Sequence, residues 1–388
     1  MKRLAILGST GSIGVNTLRI VESFPDRFEV IALAAGRNAD LLAEQVIRFK
    51  PRVVSVLDDE VAGKLAEKLG GTKVEILKGE AGVVRVATGD RPDLVVSALV
   101  GASGLVPTLA AVRAGSDVAL ANKEVLVMAG ELVMAEARRV GVRILPVDSE
   151  HAAIHQCLAG HRRADVRRVT LTASGGPFRT TPREKLAGMQ PSEALKHPNW
   201  EMGPKITIDS ASLMNKGLEM IEARWLFDLD PGVIDVVIHP QSIVHSLVEY
   251  IDGSVIAQLG VPDMRGPISY ALGLPERLPL SMERLDLVEL GSLTFEAPDH
   301  AKFPNLGLAL RALKDGGTMP AVLNAANEEG VAAFLDGRIR FTGITESIAR
   351  TMEAHVPRPI LTLKDALAAD AWARQHAVKI IGGLPIPN

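Results

Sequence analysis

The chain has 388 residues, of which 47% are hydrophobic and 23% are charged, and its formal net charge is −3. This composition is typical of a globular protein with roughly two or three domains, and the nearly balanced charge argues against a nucleic-acid partner. The single cysteine, Cys157, excludes an internal disulfide and a multi-cysteine metal site. We therefore expect a cytoplasmic protein, and any metal ligands must be carboxylates or imidazoles.

Residues 1–147 alternate short apolar runs with amphipathic segments. The runs RLAILG, FEVIALAAG, PRVVSVLD, DLVVSALVG and SDVALAN predict strands, and VNTLRIVESF, ADLLAEQVIRF and EVAGKLAEKL predict helices between them. This alternation, with nearly all-apolar strands, is typical of an α/β fold, and it predicts a doubly wound Rossmann-type parallel sheet. The uncharged stretch 94–112 contains glycine, serine and proline, which favour a buried strand, a turn and a helix start over a membrane span.

From residue 148 the pattern changes. The segments VRRVTLTASGG, KITIDSAS and IDVVIHPQSIVHSLVEYIDGSVIAQLG predict longer strands in a mixed or antiparallel sheet, and hence a central α+β domain over residues 148–273. Residues 274–299, broken by proline and glycine, predict a linker. Helical spacing with glycine or proline stops predicts a C-terminal α-helical domain over residues 300–388.

The stretch GSTGSIG, from Gly8 to Gly14, follows the first predicted strand and precedes a predicted helix. Glycines here permit a tight turn and close approach of the backbone to a ligand, and the helix N-terminus attracts a pyrophosphate. The G-x-x-G-x-x-G spacing differs from the usual G-x-G-x-x-G, so a simple strand-to-helix turn is the alternative. The strand–turn–helix setting favours a dinucleotide-binding loop.

The end of the second predicted strand, AAGRN, indicates which dinucleotide is bound. Enzymes that use NAD usually carry an acidic residue there, about 20 residues past the loop, which binds the ribose 2′-hydroxyl. This chain has Arg37 instead, which would pair with a 2′-phosphate, while Ser9, Thr10 and Asn38 would add hydrogen bonds. We expect NADPH rather than NADH; the alternative for Arg37 is a solvated loop arginine.

The segment PVDSEH places two carboxylates around a serine. If it is extended, Asp148 and Glu150 point to the same side and repel each other unless a cation, a proton or an arginine or lysine side chain lies between them. An all-oxygen site suits Mg²⁺ or Mn²⁺. The best source of a third ligand is residues 209–223, where Asp209 or Ser210 would cap a helix that presents Asn215, Lys216 and Glu219 on one face. The alternative for each acid alone is a solvated carboxylate or a helix cap.

Polar side chains suited to a phosphate occur in both predicted domains. Ser174 precedes a Gly-Gly turn, and Ser210 lies at a predicted helix N-terminus, ahead of Asn215 and Lys216. Lys123 follows a predicted strand at the sheet edge where doubly wound folds bind ligands.

The loop KHPNWEMGPK, residues 196–205, contains Trp200 and Met202 and is bounded by proline and glycine. Such a segment can close over a substrate, although Trp200 packed in a core is an equal alternative. His151 and His245 have no spacing that predicts a role, and a structural role is favoured for both.

Seven segments together resemble the 1-deoxy-D-xylulose 5-phosphate reductoisomerase family: GSTGSIG, AGRN, ANKE, VDSEH, TASGGPF, HPNWEMG and IDSASLMNKGLEMIEA. The resemblance runs in order from residue 4 to the mid-300s, and the combination is specific although GSTGSIG alone is not. Two small departures, Arg37 where lysine is also common and Glu201 beside Trp200, touch none of the assigned chemistry.

The resemblance implies an NADPH domain, a central catalytic and dimerisation domain, and a C-terminal helical domain, in a homodimer built through the central sheets. It implies catalytic roles for Lys123, Asp148, Glu150 and Glu219, and metal ligation by Asp148, Glu150 and Glu219. The implied substrate contacts are Lys123, Ser149, Glu150, Ser174, His197, Trp200, Ser210, Asn215, Lys216 and Glu219. The implied cofactor contacts are Thr10, Gly11, Ser12, Ile13, Gly36, Arg37, Asn38, Asn122, Glu124 and Gly203.

The implied reaction converts 1-deoxy-D-xylulose 5-phosphate to 2-C-methyl-D-erythritol 4-phosphate, the committed step of non-mevalonate isoprenoid synthesis. Only half of this reaction is redox. The isomerisation, by the family's favoured retro-aldol and aldol route, develops negative charge that a chelated divalent cation stabilises, which explains the carboxylates. Two rival functions are a metal-independent NADP-dependent dehydrogenase of a small aldehyde or semialdehyde and a cofactor-sensing regulator without catalysis.

Overall fold

The computed structural model describes residues 1–200 and 202–385, so Glu201 lies outside the described residues. The chain forms two compact units. Unit 1 comprises Met1–Val125, Val133–Ala152 and Asp263–Met282, and unit 2 comprises Leu126–Leu132, Ala153–Pro262 and Glu283–Asn388. The edges of the three predicted domains stay a prediction.

The strands, in chain order, are β1 (Lys2–Leu7), β2 (Phe28–Ala34), β3 (Val53–Val56), β4 (Glu75–Lys78), β5 (Leu94–Ser97), β6 (Asp117–Leu120), β7 (Ile144–Pro146), β8 (Val166–Ala173), β9 (Ile234–Ile238), β10 (Val244–Tyr250) and β11 (Val255–Leu259).

The helices, in chain order, are α1 (Ser12–Ser23), α2 (Ala39–Phe49), α3 (Asp59–Leu69), α4 (Gly79–Thr88), α5 (Leu105–Arg113), α6 (Glu124–Val140), α7 (Ser149–Leu158), α8 (Pro191–Ala194), α9 (Pro204–Ala211), α10 (Met214–Leu226), α11 (Arg265–Gly273), α12 (Leu287–Leu290), α13 (Asn305–Asp315), α14 (Met319–Leu335), α15 (Phe341–Glu353) and α16 (Leu363–Ile381).

Unit 1 is built on a seven-stranded sheet in the order β4-β3-β2-β1-β5-β6-β7, and every neighbouring pair is parallel. The strand order reverses between β1 and β5, where Leu4 pairs with Leu94. Apolar side chains from the sheet and from the surrounding helices, among them Leu18, Leu42 and Leu65, form one core. The predicted doubly wound parallel sheet is confirmed.

Two strands of this sheet, β4 and β7, were not among the predicted strands. The first is the edge strand EILK, which has no fully buried residue, and the second is the three-residue strand ILP. Neither contains the long apolar run that marks a central parallel strand, because an edge strand is half solvated and a short strand adds little buried surface.

Unit 2 contains a four-stranded mixed sheet in the order β11-β10-β8-β9. The β8–β9 pair is parallel, and β10 is antiparallel to both β8 and β11. The sheet core, including Val169, Leu171 and Val248, packs with Met220 of α10. Helices α13 to α16 complete the unit, so the predicted mixed sheet and helical C-terminal region are both confirmed. None of the described helices combines the length and the apolar character needed to cross a membrane.

The segment KITIDSAS was predicted as a strand, and this prediction was wrong. It belongs to α9, which begins with Pro204 in its first turn and buries Thr207 and Ile208. The β-branched residues suggested a strand, but proline at a helix start and packing in unit 2 outweigh that weak propensity.

Two local predictions around the acidic residues were also wrong. Asp209 and Ser210 lie in the last turn of α9 rather than at a helix start, and α10 follows a left-handed N-cap residue, Leu213, with φ of +58°. The PVDSE segment is not extended throughout, because β7 ends at Pro146 and α7 begins at Ser149. The carboxylates of this segment are therefore arranged by a helix start and not by a strand.

Candidate active-site residues

The Gly8–Gly14 loop leaves the carboxyl end of β1 where the strand order reverses. Gly8 has φ of +91°, and a Cβ on it would lie 2.8 Å from the carbonyl carbon of Ala98, which follows β5. A Cβ on Gly14 would lie 2.5 Å from Cα of Ser9. Both positions therefore require glycine, which explains two of the three glycines of the motif by close backbone packing.

Helix α1 begins at Ser12, with Gly11 as its N-cap and no side-chain cap. The first N–H groups of a helix, including that of Ile13, have no intrahelical acceptor and attract anions. Gly11 and Ser12 are exposed, and Thr10 is half-buried. The loop thus presents backbone donors to solvent at the position where doubly wound folds bind a pyrophosphate.

Arg37 and Asn38 follow β2, the neighbour of β1, and Gly36 precedes them in the same exposed turn. The Arg37 side chain is 76% exposed, and its Nη1 lies 3.7 Å from Oδ2 of Asp58. Asn38 caps α2, since its Oδ1 accepts a hydrogen bond of 3.0 Å from the N–H of Leu41. An exposed guanidinium at this strand end fits the predicted 2′-phosphate contact.

The ANKE segment follows β6 and is buried. The side-chain nitrogen of Asn122 donates to the carbonyl oxygens of Leu99 at 2.6 Å and Gly101 at 3.0 Å. Its Oδ1 caps the start of α6, whose first residue is Glu124. Asn122 therefore fixes the loop after β5.

Lys123 and the acidic segment after β7 meet within unit 1. Nζ of Lys123 lies 2.6 Å from Oδ2 of Asp148, and its side chain is only 5% exposed. Oγ of Ser149 donates to Oε2 of Glu150 at 2.5 Å. His151 is fully buried with Nδ1 3.9 Å from Oδ2 of Asp148. Each of the two carboxylates is thus oriented by a neighbouring donor.

In unit 2, α10 carries Asn215, Lys216 and Glu219. The Glu219 side chain is fully buried. Its Oε1 accepts a hydrogen bond of 2.6 Å from Nδ2 of Asn215, and Oε2 forms an ion pair with Nζ of Lys216. A buried carboxylate needs such compensation, so these residues act as one polar group on a helix face, as their three-and-four spacing predicted.

Ser174 lies before the Gly175–Gly176 turn, and its Oγ is 3.0 Å from Nε2 of His197. Nδ1 of the same ring accepts hydrogen bonds from the N–H groups of Asn199 at 3.2 Å and Trp200 at 2.9 Å. Because Nδ1 is an acceptor, the neutral imidazole carries its proton on Nε2 and donates to Ser174. His197 therefore orients a serine that was predicted to contact the substrate.

The segment around Trp200 is held to unit 2 by side-chain contacts. Nδ2 of Asn199 donates to the carbonyl oxygen of Pro240 at 2.6 Å and to Oγ of Ser242 at 2.8 Å. The half-buried Trp200 ring lies 6.3 Å from the ring of His245, and Gly203 is the N-cap of α9. These contacts give Trp200 a packed environment without burying it completely.

One buried acid, Asp209, has partners that the sequence patterns did not predict. Asp209 accepts a hydrogen bond from Asn327 and pairs with Lys205, next to the predicted contact Ser210. Asn327 and Asn324 are buried polar residues in the otherwise apolar first half of α14. Asparagines within an apolar helical stretch could have indicated a buried polar contact, since buried polar groups need hydrogen-bond partners.

Comparison with known proteins agrees with this arrangement. Family models of 1-deoxy-D-xylulose 5-phosphate reductoisomerase match residues 4–130, and models of its C-terminal domains match residues 144–227 and 259–376. The chain belongs to the 1-deoxy-D-xylulose 5-phosphate reductoisomerase family. It is 60% identical to the 1-deoxy-D-xylulose 5-phosphate reductoisomerase of Anaeromyxobacter sp. (strain K), with 98% of both chains covered. It is 57% identical to that of Geotalea uraniireducens (strain Rf4), with 98% of this chain and 99% of the relative covered.

Solved structures of the family have the same fold. The enzyme from Zymomonas mobilis in complex with NADPH superposes with a TM-score of 0.92 at 45% identity, covering 99% of this chain and 100% of that one. A complex of a family member with NADPH, fosmidomycin and magnesium also superposes with a TM-score of 0.92, at 43% identity and 98% coverage of both chains. The family predicted from the motifs, its enzymatic activity and the α/β fold class are thus confirmed.

Proposed function

We propose that the chain converts 1-deoxy-D-xylulose 5-phosphate to 2-C-methyl-D-erythritol 4-phosphate, using NADPH and a divalent metal ion, in non-mevalonate isoprenoid biosynthesis. Family membership over nearly the whole chain supports the reaction. Relatives solved with NADPH and with magnesium support the cofactors. The observation in this chain that carries the proposal is the set of three acidic side chains, each oriented by its own donor.

NADPH would bind along the carboxyl edge of the unit 1 sheet. The N–H groups at the start of α1 would take the pyrophosphate, and the exposed Arg37 would pair with the 2′-phosphate. Asn122 would act mainly by holding the loop after β5. The proposed contacts are those implied by the family: Thr10, Gly11, Ser12, Ile13, Gly36, Arg37, Asn38, Asn122, Glu124 and Gly203.

Asp148 and Glu150 of unit 1 and Glu219 of unit 2 would hold the divalent ion. Carboxylate oxygens are the ligands that Mg²⁺ and Mn²⁺ prefer. Donors that bond to a ligand and fix its orientation are typical of built metal sites, and Lys123, Ser149 and Asn215 have this relation to the three acids. The residues therefore fit the ion by their chemistry.

A bound divalent ion supplies Lewis-acid stabilisation of negative charge on substrate oxygens, and NADPH supplies the hydride. The chain's own residues orient the sugar phosphate. Ser174 accepts a hydrogen bond from His197, which leaves its own hydroxyl proton for the phosphate. Ser210, Asn215 and Lys216 would also hydrogen-bond the phosphate. Binding the phosphate away from the reacting carbons places those carbons against the acidic residues and lowers the entropic part of the barrier.

Trp200, in the segment between His197 and Gly203, would cover the substrate and exclude water. Water exclusion strengthens the electrostatic contacts and protects a reactive aldehyde during the reaction. The half-buried ring near His245 supports this role, because it has apolar surface available for a ligand.

A homodimer would use the sheet of unit 2. β11 is one of the two edge strands of that sheet. It begins at Val255, which is 54% exposed, and Ile251 in the turn before it is 65% exposed. An apolar sheet edge is a common place for a second chain to pair. V255K should give a monomer by light scattering, whereas L361K, at an exposed leucine between α15 and α16, should leave a dimer. A dimeric V255K variant would exclude this edge.

A cytoplasmic location is supported by the lone cysteine. Burial raises the pKa of the Cys157 thiol to about 11, so the thiol stays protonated and inert.

The proposed chain has three domains and a linker. Residues 1–147 would bind NADPH, residues 148–273 would serve catalysis and dimerisation, residues 274–299 would be the linker, and residues 300–388 would form the helical domain. Fractionation of the source cells tests the location, and limited proteolysis tests the domain edges.

The decisive experiment follows NADPH absorbance with 1-deoxy-D-xylulose 5-phosphate, before and after thorough chelation. We expect turnover that chelation abolishes and that Mg²⁺ or Mn²⁺ restores. Full turnover after chelation would favour the metal-independent dehydrogenase of a small aldehyde. NADPH binding without oxidation by any sugar phosphate would favour a cofactor-sensing regulator.

A further inference from the structure

Asp209, Lys205 and Asn327 form a polar cluster inside unit 2 that the proposed mechanism does not use. The Asp209 side chain, in the last turn of α9, is 1% exposed. Its Oδ1 accepts a hydrogen bond of 2.8 Å from Nδ2 of Asn327 in α14. Its Oδ2 lies 2.8 Å from Nζ of Lys205, one helical turn earlier. The cluster therefore ties the end of α9 to α14.

A contribution to stability does not by itself explain why an aspartate occupies position 209. A negative charge in the last turn of a helix opposes the helix dipole. The pair has lysine before the acid, which is the less favourable order for residues four apart. Taking the Asp209 carboxylate out of water offsets much of its attraction to the half-buried Lys205. An acid that contributes little net stability at this position is better explained by the geometry that it imposes.

The geometry in question is the position of Ser210, the residue after Asp209. On one side, the carbonyl oxygen of Ser210 lies so close to Gly176 that a Cβ there would be 2.5 Å away. Gly176 belongs to the turn that follows Ser174, and its N–H donates to Oγ of Ser174 at 3.2 Å. On the other side, Asp209 is bonded to Asn327. The last turn of α9 is thus held between the Ser174 turn and α14.

We infer that Asp209 is a positioning residue for the sugar phosphate: bonded to Asn327, it sets the position of Ser210 relative to Ser174. The inference rests on the proposed function, in which both serines contact the phosphate. Asp209 does not itself touch the substrate in this scheme. Its loss should therefore weaken sugar-phosphate binding and leave NADPH binding unchanged.

The test first replaces Asn327 alone and then exchanges the side chains of Asp209 and Asn327. N327D places a second carboxylate against Asp209 and should raise KM for the sugar phosphate about tenfold, the size of one lost hydrogen bond to a charged group. The KM for NADPH should stay the same, and kcat should change less than the sugar-phosphate KM. The exchanged variant D209N/N327D restores a donor and an acceptor with reversed roles, and it should return the KM close to that of the wild type.

The matched control is N324D. Asn324 is buried one turn earlier on α14, and its Nδ2 donates to Oε1 of Glu328 at 2.9 Å rather than to α9. The same chemical change there should lower thermal stability without raising the sugar-phosphate KM. If N327D does not fold, N327L removes the donor without adding charge and should give a smaller rise in KM. An equal rise in N324D, or no recovery in D209N/N327D, would overturn the inference.

A second measurement does not depend on activity. Hydrogen exchange of the amides in residues 207–213 should accelerate in N327D and slow again in D209N/N327D. Unchanged exchange in N327D overturns the positioning role, whatever the activity. Absence of turnover in the wild type overturns the proposed function instead. The exchange data then still decide whether Asn327 holds α9.

Discussion

The proposed site residues of the two units are built in different ways. In unit 1 most of them follow strands of one parallel sheet, and the glycine loop presents backbone groups that the turn itself exposes. In unit 2 they lie on helices and in turns, and Lys216 and Glu219 are charged side chains with almost no exposure. A backbone site depends on the space around glycines, whereas a buried charged site depends on each partner that compensates it.

This difference predicts different consequences of mutation. A substitution at a close-packed glycine of the loop, Gly8 or Gly14, should alter folding and cofactor binding together, because the backbone that packs there also forms the proposed binding loop. A substitution among the buried charges should alter the chemistry far more than the binding of NADPH.

The largest effect is expected from E219Q, which keeps the shape of the side chain and removes its charge. Turnover should fall by more than about a hundredfold, since even residues that only orient a metal ligand are worth 10–100-fold. The dissociation constant for NADPH should stay within about twofold, because Glu219 is assigned to the metal and not to the cofactor. E249Q, which removes a carboxylate bonded to Arg168 in the unit 2 sheet, should retain turnover. An E219Q enzyme of near-normal rate would remove Glu219 from the metal ligands.

In unit 1, G14A should lower the free energy of unfolding by about 1–3 kcal/mol and weaken NADPH binding, because its Cβ meets backbone atoms that must move. G11A is the matched control. Its Cβ would lie 3.4 Å from the carbonyl oxygen of Gly8, an ordinary contact. We expect G11A to keep its stability and to lose NADPH affinity alone. Urea unfolding and NADPH titration measure the two effects, and a fully stable G14A would contradict the packing argument.

S174A should raise KM for the sugar phosphate about tenfold, since a hydrogen bond to a charged group is lost. The substitution also removes the hydrogen bond between Ser174 and His197, so a modest fall in thermal stability is expected. S192A, at an exposed serine of α8, serves as the control and should behave as the wild type. Steady-state kinetics with each substrate varied in turn separates the effects. A rise confined to the KM for NADPH would contradict the assignment of Ser174 to the sugar phosphate.

The smallest effect concerns His355, in the helical part of unit 2. Burial, and then the charge of Arg358, lower the pKa of its imidazole from 6.5. The unfolded chain therefore binds the proton at a higher pH than the folded chain does. Stability conferred by the neutral ring is complete above about pH 6.5 and is lost as the pH falls through the folded pKa.

We expect the loss to be below about 1 kcal/mol, since the imidazole is partly exposed and screened. Comparing thermal unfolding at pH 8 and pH 5.5 should show a smaller pH difference in H355N than in the wild type. H376N, which replaces the histidine stacked on the Trp372 ring that His355 also contacts, is the control. An identical pH difference in H355N and the wild type would show that His355 is not the titrating group.

The two units also differ in how far their features could be predicted. The central strands and the glycine loop of unit 1 were visible because a buried parallel strand is a continuous apolar run and a strand–loop–helix junction is local. The prediction of a strand for KITIDSAS was wrong because β-branched residues also occur in helices. Only the packing of α9 decides between a strand and a helix for this segment.

Local patterns and specific motifs were enough to predict the doubly wound sheet and the family, and they led to the proposed residue types for NADPH and metal binding. The donors beside the acidic residues, and the hydrogen bond between Asp209 and Asn327, 118 positions away, became apparent from the three-dimensional arrangement alone. A buried charge is stabilised by whichever groups surround it in space, and separation along the chain does not reveal those groups.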